Sequence, residues 1–389
     1  MEHCDIAIVG GGMVGALAAA LLAPTGLSIR VIEAKAPEAF AAEQAPDLRV
    51  SALSATSVEM LQQAGAWPHI LAMRAWPYQR LEACEWQGFH TQFNAEELGC
   101  EYLGYMIENR IIQSGLWQAL AQWSNVQLDC PNGLLALQQT GTGAQLTLTG
   151  GQQVAARLVL ACDGAESLTR QLAGIGVTAW DYAQHCMLIG IEADSLESDT
   201  TWQQFTPSGP RAFLPMGPRQ GCLVWYDQKA RIAALSKLDN AALAEQVKAH
   251  FPPRMSKLLV LNKGSFPLRR RHANQYVKGV VVLLGDAAHT INPLAGQGVN
   301  LGFKDVARLN ELIRQGLEAR LDFAAPERLA RYQRSRRPDN LLMQSAMDAC
   351  YHTFSNDFLP LKVLRNLGLK AAEHSGPLKK RVMKYAMGL

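Results

Sequence analysis

Residues 5–33 constrain the fold more tightly than any other stretch of this chain. The run DIAIV (5–9) has the apolar content of a short buried strand. Gly10-x-Gly12-x-x-Gly15 follows, VGALAAALLA continues as an Ala-rich helix, and SIRVIE (28–33) returns to a strand that ends on Glu33. Strand, glycine turn, helix and second strand make a βαβ unit. In such a unit Gly10 permits the tight turn, Gly12 lets the backbone approach a pyrophosphate, and Gly15 lets the helix lie close to the strand. The helix start then offers free N–H groups and the positive end of its dipole to phosphates. Glu33, about 20 residues further on, is positioned to hold a ribose 2′-OH and disfavours a 2′-phosphate. A plain βα turn is the alternative reading, but here strand, helix and acid are all in place.

Two further stretches have the same form, an apolar strand that ends on an acid. RLVLA leads into Cys162-Asp163-Gly164, with Ser167 and Arg170 beyond. Ligands of open α/β sheets gather at the carboxyl ends of strands, although Asp163 could equally cap the helix that follows. VVVLL leads into Gly285, Asp286 and His289, then Pro293, Gly296-Gln297-Gly298 and a helical pattern. Asp286 can accept hydrogen bonds from sugar hydroxyls, and the glycines can bring backbone N–H groups to a polar ring edge. Pro293 stiffens this loop, and His289 is either a site residue or a buried histidine bonded to backbone. No second nucleotide fingerprint exists, because Gly174-x-Gly176 lacks a strand–turn–helix context.

The remaining composition excludes several classes. At 389 residues the chain holds two domains or one with an insertion. A net charge of +3 implies no broad nucleic-acid surface. The eight cysteines form no C-x-x-C pair, which removes the zinc and dithiol readings. Scattered cysteines without a signal peptide point to a reducing, cytoplasmic setting. The longest apolar-rich run, Gly12 to Ala23, is shorter than the about 20 residues that span a bilayer. The protein is therefore expected to be soluble, or at most peripheral on a membrane.

The glycine run GGGMVG (10–15), the Asp163-Gly164 pair, GDAAH (285–289), Pro293 and Gly296-Gln297-Gly298 together resemble the single-component, FAD-dependent aromatic hydroxylases. Within them the chain is similar to the ubiquinone-biosynthesis hydroxylases. DLRVSALS (47–54), GYMIEN (104–109), TWQQFTP (201–207), GPRAFLP (209–215) and RNLGL (365–369) carry that likeness. The resemblance implies an α/β fold with a Rossmann-like FAD-binding domain, discontinuous over 1–75, 100–180 and 265–320. An inserted antiparallel-sheet substrate domain (76–99 and 181–264) and a helical C-terminal region (321–389) complete it. Gly10, Gly12, Gly15 and Glu33 would hold the ADP half of FAD, and Arg49 would face the pyrophosphate. Asn109 stands where relatives have Arg or Gln near the flavin's sugar chain, with Gln113 one helical turn on. Asp163 would serve FAD and reductant, Asp286 the ribityl chain, and Gly298, Val299 and Asn300 the isoalloxazine. Pro293 and His289 would lie near the flavin ring.

The implied reaction is hydroxylation of a polyprenylated benzoquinol through a flavin C4a-hydroperoxide, with O2 and NAD(P)H as co-substrates. The quinol supplies its own electron push, so no catalytic base is named. Trp202, Phe205, Phe213 and Trp225, with Tyr226, would cover the substrate, ordinary core being the alternative. Arg269–Arg271 beside His272 read as a solvated basic face or as a guide for reductant phosphates. Lys362, Arg365, Lys370, Lys379, Lys380, Arg381 and Lys384 would let a C-terminal helix lie on anionic lipid at the inner membrane, or meet a partner in a ubiquinone-biosynthesis complex. Hydroxylation at another ring position, an FAD-dependent reductase of a prenyl lipid and a non-catalytic flavoprotein of a quinone-making assembly stay open.

Overall fold

The structure is a computed structural model that describes residues 1–85, 89–291, 298–354, 358–373, 376 and 379. Its first sheet is built on a parallel core. Val281–Leu283, Gln153–Ala161, Glu2–Val9, Ile29–Ile32 and Val126–Asp129 lie side by side in that order, all parallel. The strands are continuous apolar runs because helices and strands cover both faces: Ile6, Ala7, Ile8, Val159 and Val282 are fully buried. The Ala-rich helix Met13–Leu22 packs between helices Asn109–Leu120 and Gly298–Glu318. An antiparallel ribbon, Leu134–Gln139 with Ala144–Leu148, extends the sheet.

The register of this sheet assembles the site. Val9 is level with Ala161, and Ala161 with Leu283. The three strands therefore end together, and the turns that follow them, at Gly10, Cys162–Gly164 and Gly285–Ala287, meet at one carboxyl edge. Segments up to 280 residues apart in sequence become neighbours through strand order alone.

The second large sheet runs His289–Thr290, Leu259–Ala273, Val177–Glu192, Gln220–Gln228, Arg211–Pro215, Thr200–Gln204, Arg80–Cys84, His90–Asn94. It is antiparallel, as expected, except that Thr200–Gln204 pairs parallel with Arg80–Cys84. Helices Lys229–Ser236 and Asn240–His250 cover its back, and Asp239 caps the latter by accepting from Ala242 N–H at 2.7 Å. A small third sheet joins Val50–Ser54, Gly104–Glu108 and Trp76–Tyr78. Residues 76–99 thus divide between two sheets. The expected boundaries at 180/181 and 264/265 fall inside the strands Val177–Glu192 and Leu259–Ala273, which run on without a break. Helices Pro326–Phe354 and Leu359–Glu373 follow.

Candidate active site

The glycine turn is shaped for a close approach. Gly10 has φ +99°, and a Cβ there would lie 2.4 Å from the Cys162 carbonyl oxygen. A Cβ on Gly15 would lie 1.8 Å from the Gly10 carbonyl oxygen, whereas one on Gly12 would meet nothing within 4 Å. Gly12 is the helix N-cap and no side chain caps the helix start, so open space faces its N–H groups. The turn is braced from outside. Glu33 accepts from Gly11 N–H at 2.7 Å and Lys35 N–H at 3.0 Å. Gln113 and Trp117 donate to the Gly11 carbonyl at 3.0 and 2.7 Å.

A cavity of about 600 Å³ is lined in part by Arg49, Asn109, Asp286 and Gly298, four residues singled out from sequence. The side chains of Arg49 and Asp286 make no hydrogen bond or ion pair among the described residues. Asp286 is exposed to the cavity yet ringed by protein. Desolvation raises its carboxyl above the usual range, and His289 and Arg49 offset part of that rise. Asn109 accepts from Ser51 Oγ at 2.7 Å. An unpaired cation, an unpaired carboxylate and an uncapped helix start bordering open space are what a dinucleotide with a polyol chain requires, so the residues present fit FAD.

Other expected site residues are occupied elsewhere. Asp163 accepts from Ser167 Oγ (2.5 Å), Thr169 N–H (2.9 Å) and Thr169 Oγ1 (2.8 Å), so its carboxylate ties down the start of helix Leu168–Leu172. Asn300 is anchored: its carbonyl oxygen accepts from Ser54 N–H and Ser57 Oγ, and its amide donates one hydrogen to the Ala52 carbonyl. Its side chain joins the small sheet to helix Gly298–Glu318. Val299 is buried beside it.

His289 is buried, and its Nε2 is 2.6 Å from Asp305 Oδ2. Asp305 also accepts from Gly285 N–H (3.1 Å), Arg336 Nε (2.8 Å) and Asn340 Nδ2 (3.1 Å). Burial alone would raise the Asp305 carboxyl, but His289 and Arg336 outweigh it and hold it below the usual range. His289 thus belongs to the network that fixes the loop bearing Asp286. Sequence reasoning missed Asp305, Arg336 and Asn340; the i, i+4 spacing of Arg336 and Asn340 was the available signal.

The aromatic cover is half corrected. Trp202 and Phe205 line the cavity, but Phe213 and Trp225 do not. These two pack behind the sheet with Ile232, Leu243, Val247 and Phe251, because alternation along Gln220–Gln228 turns Leu223 and Trp225 away and brings Val224 and Tyr226 inward. Even Trp202 stacks its ring on Phe213 at 6.0 Å.

The basic stretches are corrected too. Arg270 is buried, paired with Asp348 and lying over the Trp180 ring; Arg271 holds Glu166 and the Ala165 carbonyl; Arg269 reaches Asp181 and Glu166. Arg270 and Arg271 are drawn in by their partners, whereas Arg269 stays exposed while paired. In helix Leu359–Glu373, Arg365 and Asn366 point inward to a buried Glu85, and Lys379 beyond it pairs with Glu97 and Glu373. Leu359, Val363, Leu364 and Leu367 face outward at 40–66% exposure. Pro293, Gly296, Gln297, Lys380, Arg381 and Lys384 lie outside the described residues.

Residues 3–344 match a family described as FAD binding domain. The chain is 49% identical over 388 residues to 3-demethoxyubiquinol 3-hydroxylase of Escherichia coli (strain K12), covering 100% of this chain and 99% of that protein. It is 35% identical over 387 residues to ubiquinone hydroxylase UbiL of Rhodospirillum rubrum, covering 99% and 89%. The fold is similar to that of p-nitrophenol 4-monooxygenase PnpA from Pseudomonas putida DLL-E4, with a TM-score of 0.81, 18% identity and coverage of 100% and 97%.

Proposed function

The chain belongs to the FAD binding domain family and is an FAD-dependent monooxygenase; from that premise we propose that its substrate is a polyprenylated benzoquinol lacking one ring substituent, hydroxylated during ubiquinone biosynthesis. The observation that carries this reading is the composition of the cavity around Asp286. Its lining includes the polar set Arg49, Asn109 and Asp286 with Gly298, and also the apolar Leu188, Leu214, Val224, Phe266, Leu268 and Met347. A cavity that borders cofactor-type polar groups and carries apolar side chains suits a greasy ring presented to a flavin.

When bound, FAD supplies the redox chemistry, taking electrons from a reductant and passing one oxygen atom of O2 to the substrate ring. The chain's own residues bind, orient and exclude water. The Gly10–Gly15 turn and its helix start would hold the pyrophosphate, with Glu33 on the ribose and Arg49 as countercharge. Asp286 would accept from the ribityl hydroxyls, and the backbone at Gly298 and Val299 would border the ring. In this reading 1–75, 100–180 and 265–320 carry the cofactor, and the large sheet roofs the substrate so that water stays out. The reductant is a nicotinamide dinucleotide that visits the Arg269–Arg271–Glu166 rim instead of owning a second fingerprint.

A substrate this hydrophobic brings the enzyme to the cytoplasmic face of the membrane, beside other enzymes of the pathway. The outward leucines of helix Leu359–Glu373 support that contact. No helix among the described residues is long and apolar enough to cross a membrane.

The test is turnover of a diprenyl demethoxyubiquinol by the FAD-loaded protein under 18O2. Label in the product ring is the expected result. A reduced but unlabelled product would replace this reading with a reductase.

A further inference from the structure

Among the described residues, tyrosine hydroxyls are paired with two exceptions, and both exceptions line the cavity. Seven tyrosine side chains are described. Tyr182 donates to Asp348, Tyr332 to the Leu283 carbonyl at 2.7 Å, Tyr276 accepts from Asn340, and Tyr102 and Tyr105 bond each other. Tyr78 and Tyr226 have no hydrogen-bond partner among the described residues. They are 7% and 2% exposed, and both line the cavity. A phenol hydroxyl that opens on a cavity without a protein partner is left to hydrogen-bond water or a ligand.

We infer that the Tyr226 and Tyr78 hydroxyls are the donors that read the ring oxygens of the aromatic substrate. This rests on the quinol reading above and names what in the substrate is recognised. Around Tyr226 the wall is apolar: Cys186, Ala212, Val224 and Leu268 pack on it, with Phe266 and Met347 beside them. Its hydroxyl is the polar handle of that wall. Tyr78 stands in a second apolar patch, with Ala52 and Met106. There the phenol lies over Gly104, where a Cβ would come within 2.8 Å of the hydroxyl. Gly104 is level with Tyr78 across the strand pair, so the missing side chain makes room for the phenol.

The two residues come from different sheets. Tyr78 belongs to the three-stranded sheet and Tyr226 to a central strand of the large one, and Leu214 packs against the clusters of both. Two donors on separate walls match a ring with oxygens at both ends better than a ring with one. Burial pushes the Tyr78 phenol up to about 12 and holds the Tyr226 phenol well above the usual phenol range. Both therefore keep their protons at neutral pH and donate.

The experiment uses the full chain loaded with FAD, as Tyr226→Phe, Tyr78→Phe and the double variant. The probes are diprenyl demethoxyubiquinol and its two mono-O-methyl ethers. FAD content and melting temperature confirm that each variant folds. Binding is read from the perturbation of flavin absorbance, and turnover from KM, kcat and the H2O2 released per reductant oxidised. Each single variant should weaken quinol binding about threefold to tenfold, the worth of one neutral hydrogen bond. KM should rise more than kcat falls, and H2O2 should rise as the ring loses its orientation. Each variant should also bind one of the two methyl ethers as the wild type does, because that ether has already weakened the contact removed. Wild-type turnover with both variants unchanged in binding and H2O2 release would overturn the assignment alone. A wild type that binds no quinol would overturn both the assignment and the substrate reading.

Discussion

Acidification from pH 7.5 to 5 should weaken the fold through His272. The residue is buried, and its Nδ1 lies 2.9 Å from Gln344 Oε1. The Gln344 amide donates to the carbonyls of Arg271 (2.9 Å) and Thr290 (3.1 Å), which leaves Oε1 as an acceptor and assigns the imidazole proton to Nδ1. Nε2 is buried with no partner among the described residues. A second proton would enter that dry position facing His289 on the paired strand, Arg337 on helix Pro326–Phe354 and Arg270 on its own strand. Desolvation first, then His289 and Arg337, lower the imidazole to about 4, with Gln344 opposing in part. The unfolded chain takes up the proton near pH 6.5 and the folded chain does not. Stability from this group is therefore intact above about pH 6.5 and is lost as pH falls toward 4. By pH 5 the loss from His272 alone is about 1–2 kcal/mol, the lower figure allowing for solvent screening. Urea unfolding followed by tryptophan fluorescence at pH 7.5, 6.5, 5.5 and 5.0 measures it. His272→Gln, which cannot titrate, should lose that much less than the wild type over the same interval. If the two curves of stability against pH run parallel, the buried neutral imidazole is refuted.

Three other outcomes follow from the same contacts. Gly15→Ala should abolish stable FAD retention on gel filtration, because the new Cβ meets the Gly10 carbonyl at 1.8 Å and must distort the turn. Asp305→Asn removes the charge that pairs His289 and Arg336 at full burial and should cost about 3–5 kcal/mol in urea unfolding; loss below 1 kcal/mol would mean the network is not holding the Asp286 loop. Leu364→Gln with Leu367→Gln should reduce flotation with anionic liposomes at constant salt, the loss measuring the apolar share of the contact.

What the sequence made legible was whatever is local. The Gly10–Gly15 turn, Asp286 and the strands that end on them are visible because strand, turn and acid are contiguous. Their convergence was inferable from parallel-sheet physics, which gathers turns at carboxyl ends. The aromatic cover failed on phase: alternation separates Val224 and Tyr226 from Leu223 and Trp225, but only the packing of helices Lys229–Ser236 and Asn240–His250 decides which set faces the cavity. The basic runs failed on partners. Arg365 turns inward because Glu85, 280 positions away, waits there, and no local spacing signals that. Asp163 was readable both ways, and its three hydrogen bonds favour the cap.

Strand order also dictates when the protein becomes competent during synthesis. Val281–Leu283 is the last parallel strand of the first sheet to leave the ribosome, yet it takes its seat directly against Gln153–Ala161 and delivers Asp286. A nascent chain cut short before residue 281 contains both earlier turns and still has an incomplete crevice. Flavin capture is therefore a late event in the birth of the molecule, and a premature stop anywhere upstream should yield an apoprotein, however well its first 250 residues have condensed.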